Sequence, residues 1–295
     1  MEVLVIGGSG QIGQELCRLL KSHQIHFQAP DRAQLDLEDH RTVVKLIEKW
    51  KPDVVVNTAG YRAAGNAQKE PSRCFSFNRD GVSNLADTCN KVGAALVQIS
   101  SWRVFDGTKK EPYTEKDTPN PESVLGNSFW QGEQQIHQRC PRHVILRLSW
   151  IISHWGRNRA TRLLDSFQDN GSPLPVFTSS HQRGCPTTAE DVARVLLAIT
   201  QQIGCNSNCW GTYHYSAAEP TDEYTLAEVI LAEASQYLDI SKDALPEDNT
   251  ERETVVNACL DSRSLRHTFG IMSRPWRSAV TRLVRNYFEQ HKSSN

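Results

Sequence analysis

The first 23 residues constrain the fold more than any other stretch. EVLVIG is an apolar run of strand length, and QIGQELCRLLKSH repeats its apolar residues at helical spacing. Between them Gly7, Gly10 and Gly13 stand in a G-x-x-G-x-x-G pattern. The alternation continues. IHFQAP reads as a short strand, HRTVVKLIEKW as an amphipathic helix and PDVVVNTAG as a strand ending in turn residues. A helical region follows from Pro71 to Val92, then the strands AALVQISS and HVILRLSW. Strands alternating with helices in this way predict an α/β fold: a Rossmann-type, doubly wound parallel sheet with right-handed crossovers.

After Trp150 the pattern loosens. NRATRLLDSFQDN, TAEDVARVLLAITQQI, TLAEVILAEASQYL and WRSAVTRLVRNYFEQH read as helices, with Thr188 as the N-cap of the second. SPLPVF reads as extended and GTYHYS as a strand, while GCNSNCWG and PEDNTERE read as exposed connections. The expected division is a dinucleotide-binding domain over 1–150 and a smaller substrate lobe over 151–295. The two are interleaved, with segments near 183–216 and 255–268 returning to the first.

Bulk properties exclude several classes of function. Lys and Arg number 33 against 34 Asp and Glu, and no long basic run occurs, so nucleic acid is not expected as a partner. No apolar run approaches the roughly 18 residues of a membrane span. The first strand begins almost at Met1, which leaves no room for a signal peptide, and the eight cysteines lack framework spacing. A cytoplasmic protein with reduced thiols is expected. Cys205 and Cys209 form the one close pair, and no second ligand pair accompanies them, so no metal is expected.

The glycine turn points to a dinucleotide. Glycine lets the backbone approach a pyrophosphate, and the following helix offers it free N–H groups and the positive end of its dipole. Gly7, Gly10, Gln11, Ile12 and Gly13 are the expected phosphate cradle. Asp31 and Arg32 follow the second strand, where an adenosine ribose belongs. An acid there suits a free 2′-hydroxyl and an arginine a 2′-phosphate, so NAD and NADP both remain open. Asp36 and Leu37 are placed beside the adenine, and Thr58, Ala59 and Gly60 at the end of the third strand.

Matching segments in order along nearly the whole chain carry a resemblance. They include VIGGSGQIGQEL, DRAQLDLEDHRTV, PDVVVNTAGYRAAGNAQKEP, FNRDGVSNLA, ISSWRVFDG, PYTEKDTPNP, HQRGCPTTAEDVA and CLDSRSLRHTFGI. The chain resembles the extended short-chain dehydrogenase/reductases, specifically the dTDP-4-dehydrorhamnose reductase family. It is also similar to the regulatory beta subunit of methionine adenosyltransferase, a relative that is not a reductase. The resemblance implies a Rossmann-type domain binding NAD(P)(H), with a smaller C-terminal lobe for a nucleotide sugar. It further implies hydride transfer to a 4-keto sugar, with a Tyr as proton donor and a Lys four residues later holding the nicotinamide ribose. Gln182, Arg183 and Thr187 match the family's substrate-lobe segment.

Carried over by position, the chemistry is incomplete. Ser101 falls at the family's Ser/Thr position and Asn78 at its relay asparagine. Gly126, Ser128 and Glu133 fix the register of LGNSFWQGE, so the Tyr and Lys positions fall on Leu125 and Phe129. Trp102 and Arg103 replace an acid and a Tyr. Gly65, Gln68, Thr254 and Val255 depart from the family's pattern on the substrate side. Neither Leu nor Phe can donate a proton, and general acid catalysis is worth roughly 10²–10⁴-fold. The expected function is therefore a catalytically degenerate relative of the reductases. It would bind NAD(P)(H), and a nucleotide-sugar-like ligand or a protein partner, in a regulatory, sensing or assembly role. The alternative is an active reductase with a relocated proton donor.

Overall fold

A computed structural model describes residues 1–168, 181–205, 208–240, 245 and 256–292. Eleven strands occur among them: β1 (Glu2–Ile6), β2 (His26–Gln28), β3 (Val54–Asn57), β4 (Ala95–Ser101), β5 (His143–Leu148), β6 (Trp150–Ile152), β7 (Gln182–Gly184), β8 (Pro186–Thr188), β9 (Gly211–Tyr215), β10 (Thr221–Asp222) and β11 (Val256–Asn257). The α-helices are α1 (Gln11–Ser22), α2 (His40–Trp50), α3 (Ala64–Ala67), α4 (Pro71–Phe75), α5 (Val82–Val92), α6 (Val124–Arg139), α7 (Arg159–Gln168), α8 (Ala189–Gly204), α9 (Glu223–Ala234), α10 (Arg263–Phe269) and α11 (Arg277–Lys292). No helix among the described residues is long and apolar enough to cross a membrane.

Six strands form one parallel sheet in the order β2-β1-β3-β4-β5-β9. Both faces of its strands are apolar because both are covered. Val3, Val5, Val54, Val56, Val97 and Ile99 pack toward α1, α8 and α10. Leu4, Ile6, Val55, Leu96 and Ile145 pack toward α2, α5 and α6. The chain leaves β1 for β2 on one side and returns to β3 on the other. The strand order thus reverses between β1 and β3, and a crevice opens there at the carboxyl ends.

A second core holds the smaller lobe. Trp102, Phe105, Leu125 and Phe129 join residues of α7, α9 and α11 in one apolar cluster. Two short sheets frame it, β6 paired with β8 and the three-stranded β10-β7-β11. Of the later segments, β9 extends the large sheet, and Leu265 and Phe269 of α10 pack against it. β7, β8 and β11 pair among themselves and with β6 and β10 instead. The expected extended piece at 172–177, the connection at 246–253, and Thr254 and Val255 lie outside the described residues.

Two elements differ from the sequence reading in detail. The helix from Pro71 to Val92 carries a π-helical turn at Ser76–Gly81, where a Cβ on Gly81 would press on the Leu37 carbonyl. HVILRLSW divides at Ser149, whose Oγ donates to the Ala258 carbonyl at 2.8 Å and turns the chain from β5 into β6. Thr188 caps α8 as its sequence context predicts, its Oγ1 accepting the Asp191 N–H at 3.2 Å. Such a cap contributes about 1 kcal/mol.

A buried polar network ties α6 to the sheet. The Glu133 carboxylate takes two guanidinium nitrogens of Arg147, with its closest contact at 2.6 Å, and accepts the Ser100 hydroxyl. Arg147 also donates to Nε2 of His214 at 3.3 Å, and Nδ1 of His214 donates to the Tyr113 carbonyl at 3.0 Å. The imidazole is therefore neutral, and burial together with the Arg147 charge pushes it down to about 3.

Two outcomes follow from this network. Arg147→Met leaves a buried carboxylate unpaired and should cost about 3–5 kcal/mol of unfolding free energy in urea titrations. His214 lies below its ordinary value of about 6.5 in the folded chain, so between these values the unfolded chain binds the extra proton. Its contribution should be complete above pH 6.5 and decline as pH falls toward 3, and His214→Gln should flatten that slope.

Candidate functional site

The crevice at the strand reversal is a cleft of ≈ 1220 Å³. One wall is built on the glycine turn after β1 and the end of β3. Gly7 takes φ +81°, a conformation that favours glycine, and a Cβ there would lie 2.7 Å from the Ala59 nitrogen. Gly10 is the N-cap of α1 and supplies no side-chain cap, and the first turn of the helix carries no acid. The opening N–H groups of α1 are thus left for a ligand, and the arrangement suits a pyrophosphate. Gln11 and Ile12 line the cleft beside them. Gly13 does not line it. A Cβ at Gly13 would collide with the Gly7 carbonyl, so this glycine allows α1 to pack closely on the turn.

At the adenosine end Arg32, Asp36 and Leu37 line the cleft, and Thr58, Ala59 and Gly60 line its floor. Arg32 is held by Asp36 at 3.2 Å and Glu38 at 3.1 Å. Asp31 lies outside the lining, its carboxylate accepting the Gln34 N–H at 2.9 Å within its own turn. The acid and the arginine, equivalent in the sequence, are separated by this turn.

The expected catalytic positions lie behind the lining. The Asn78 amide accepts the Tyr61 N–H at 2.8 Å and donates to the Tyr61 carbonyl at 3.0 Å and to Ser128 Oγ at 2.9 Å. It staples the loop after β3 to α6. Ser101 ends β4 and accepts the Arg103 N–H at 3.3 Å, so its hydroxyl caps the following short 3₁₀ turn. Leu125 is 3% exposed and Phe129 is 8% exposed, and both belong to the smaller lobe's core. Tyr113 stacks on Phe105 and donates its hydroxyl to Asp106 at 2.7 Å. Of the substrate-lobe residues, Gln182 lines the cleft. Arg183 and Thr187 stand outside the lining; Thr187 is fully buried, its hydroxyl donating to the Cys185 carbonyl and accepting the Ala217 N–H.

The opposite wall went unrecognised in the sequence. Trp155, Gly156, Arg157 and Asn158 cross over the glycine turn, and Arg159 and Arg162 extend the wall along α7. The Asn158 amide donates to the carbonyls of Ser153, Trp155 and Gly156, which holds the crossing loop closed on itself. Trp155 Nε1 reaches Glu15 of α1 at 3.1 Å, and Gln11 Nε2 reaches the Arg157 carbonyl at 3.3 Å. Arg159 pairs with Glu223 at 2.7 Å and lies over the Trp150 ring. Burial raises the Glu223 carboxyl, while Arg159, Arg103 and Arg162 pull it down. The signal was present in GRNRATR, three arginines in seven residues, but it reads equally as a solvated helix start.

Replacing Gly13 with Val should abolish dinucleotide binding, because the added side chain forces α1 off the glycine turn. Calorimetry with NADPH and NADH, together with the melting temperature, separates this loss from global unfolding.

Comparison with known proteins agrees with the geometry. The family model for the RmlD substrate binding domain matches residues 1–289. A dTDP-4-dehydrorhamnose reductase of Sinorhizobium fredii is 32% identical over 293 residues, covering 96% of this chain and 97% of that protein. A crystal structure of a dTDP-4-dehydrorhamnose reductase from Clostridium acetobutylicum superposes with a TM-score of 0.84 at 27% identity, covering 96% and 98% of the two chains. The Bacillus anthracis reductase, solved in complex with NADP, gives a TM-score of 0.83 at 25% identity and covers 96% of each chain. The chain therefore belongs to the RmlD substrate binding domain family, among the dTDP-4-dehydrorhamnose reductases and their relatives.

Proposed function

We propose that this protein binds NAD(P)(H) in the cleft, together with a nucleotide-sugar-like ligand, and does not carry out the reductase's proton transfer. It would act as a ligand-dependent regulatory, sensing or assembly partner. One observation carries this reading: among the described residues, the cleft lining includes no Tyr, Lys, His or Cys. At the positions that the resemblance assigns to the donor and its lysine stand the buried apolar side chains Leu125 and Phe129. A developing alkoxide would meet no positioned acid and no lysine to lower an acid's pKa. The glycine turn, the uncapped start of α1 and the crossing loop meanwhile suit a bound dinucleotide, and the Bacillus anthracis relative was solved in complex with NADP.

A second reading, an active reductase with a relocated acid, has one candidate in the cleft. Glu223 is 6% exposed, and its burial favours the protonated carboxyl. The 2.7 Å contact with Arg159 opposes this by favouring the carboxylate.

Calorimetry should show saturable binding of NADPH or NADH to the wild-type protein. Dinucleotide oxidation with a panel of 4-keto nucleotide sugars should stay at the protein-free rate, and Glu223→Gln should leave it there. Turnover that Glu223→Gln removes would establish the second reading, and failure to bind either dinucleotide would end the first.

A further inference from the structure

Among the described residues, the cleft is lined by more arginines than carboxylates. Arg32, Arg62, Arg103, Arg157, Arg159 and Arg162 line it against only Asp36 and Glu223. Several are accounted for. Arg32 is neutralised by Asp36 and Glu38, and Arg159 by Glu223. Arg62 donates to the Thr58 carbonyl at 2.8 Å. Arg157 belongs to the loop that crosses the glycine turn, within reach of a pyrophosphate held there.

Arg103 is different. It is half-buried, and its guanidinium lies over the Trp102 ring at 4.9 Å. Its side chain makes no hydrogen bond or ion pair with any described residue. Arg159 adds repulsion to the desolvation that already lowers its pKa, and Glu223, committed to Arg159, offsets this only in part. A guanidinium carries five donors, and leaving them unsatisfied in a partly desolvated site is unfavourable unless a ligand brings acceptors.

The position of Arg103 indicates which part of a ligand would bring them. It sits in the turn that leaves the carboxyl end of β4, two residues past Ser101. Its backbone is fixed against the first turn of α6, because a Cβ on Gly126 would overlap the Arg103 carbonyl. The same helix carries Leu125 and Phe129, the positions that the family resemblance assigns to the proton donor and its lysine; on that assignment Arg103 lies toward the sugar ring rather than the diphosphate. A neutral deoxysugar offers that fork only hydroxyl or carbonyl oxygens. A carboxylate matches it with two parallel charge-assisted hydrogen bonds.

We propose that the second ligand is an acidic nucleotide sugar, with a carboxylate on the sugar ring received by Arg103 beside the Arg159–Glu223 pair. The inference rests on the reading of the cleft as a dinucleotide and nucleotide-sugar site. It goes beyond that reading by assigning the ligand's charge.

The test is calorimetry on the full chain saturated with NADPH, using UDP-glucose against UDP-glucuronate and dTDP-glucose against dTDP-glucuronate. The acidic member of each pair should bind about tenfold tighter or more, the difference a bidentate charged contact provides. Arg103→Gln should bring the two members of each pair to parity, and Arg103→Lys should keep only part of the preference. Equal binding within each pair by the wild type would overturn the assignment and leave the nucleotide-sugar reading standing. A preference that survives Arg103→Gln would overturn the role of Arg103. Binding of neither pair would remove both this inference and the reading beneath it.

Discussion

Two backbone contacts of helix α6 fix what the site can be. Gly126 presses on the Arg103 carbonyl and Gly132 on the Asn78 carbonyl, each so closely that a methyl group has no room. Pinned at two points almost two turns apart, the helix has one rotation and one height. Leu125 and Phe129 must then face the smaller lobe's core, Ser128 must meet Asn78, and Glu133 must meet Arg147. A residue at 125 or 129 cannot swing away to admit another group, so its chemistry is the chemistry of that position. Close packing thereby fixes where these two side chains lie.

The two walls of the cleft make different demands. The glycine turn and the opening of α1 offer a ligand backbone groups alone. The arginine-bearing wall depends on side chains and sets the charge of what can enter. Phosphate recognition can therefore persist while the reacting end changes. In this protein Leu125 and Phe129 are apolar behind the lining and Arg103 and Arg159 are cationic within it, a combination that suits holding an anion more than moving a proton. Membership of a reductase family does not decide between holding and turnover, because fold and function are separable.

Much of the architecture was legible because its signals are local and mutually consistent. β1, the glycine turn and α1 follow from strand length, glycine spacing and helical periodicity within 23 residues, and Thr188 as an N-cap follows from its hydroxyl before a periodic run. The division of HVILRLSW between two sheets was not legible, because a hydrogen bond from Ser149 to a carbonyl 109 residues away decides it. The π-helical turn at Ser76–Gly81 was not legible either, and its Gly81 packs closely on the Leu37 carbonyl. At the site, the tight glycine turn before α1 was readable and the separation of Asp31 from Arg32 was not. Ser101 holds its matched position, yet its hydroxyl caps a turn. The arginines of GRNRATR and Glu223 are brought together only by the tertiary fold, across 64 residues in the case of Arg159 and Glu223.

In the proposed role this cleft holds a reduced dinucleotide beside a carbonyl sugar without transferring hydride. Deuterium tracing tests it most directly, with stoichiometric protein, NADPH deuterated at the transferring carbon and 4-keto nucleotide sugars, both neutral and carboxylated. After long incubation the account predicts sugars free of deuterium by mass spectrometry, with the dinucleotide recovered reduced. Deuterium appearing at the sugar's C4 in proportion to protein would contradict it.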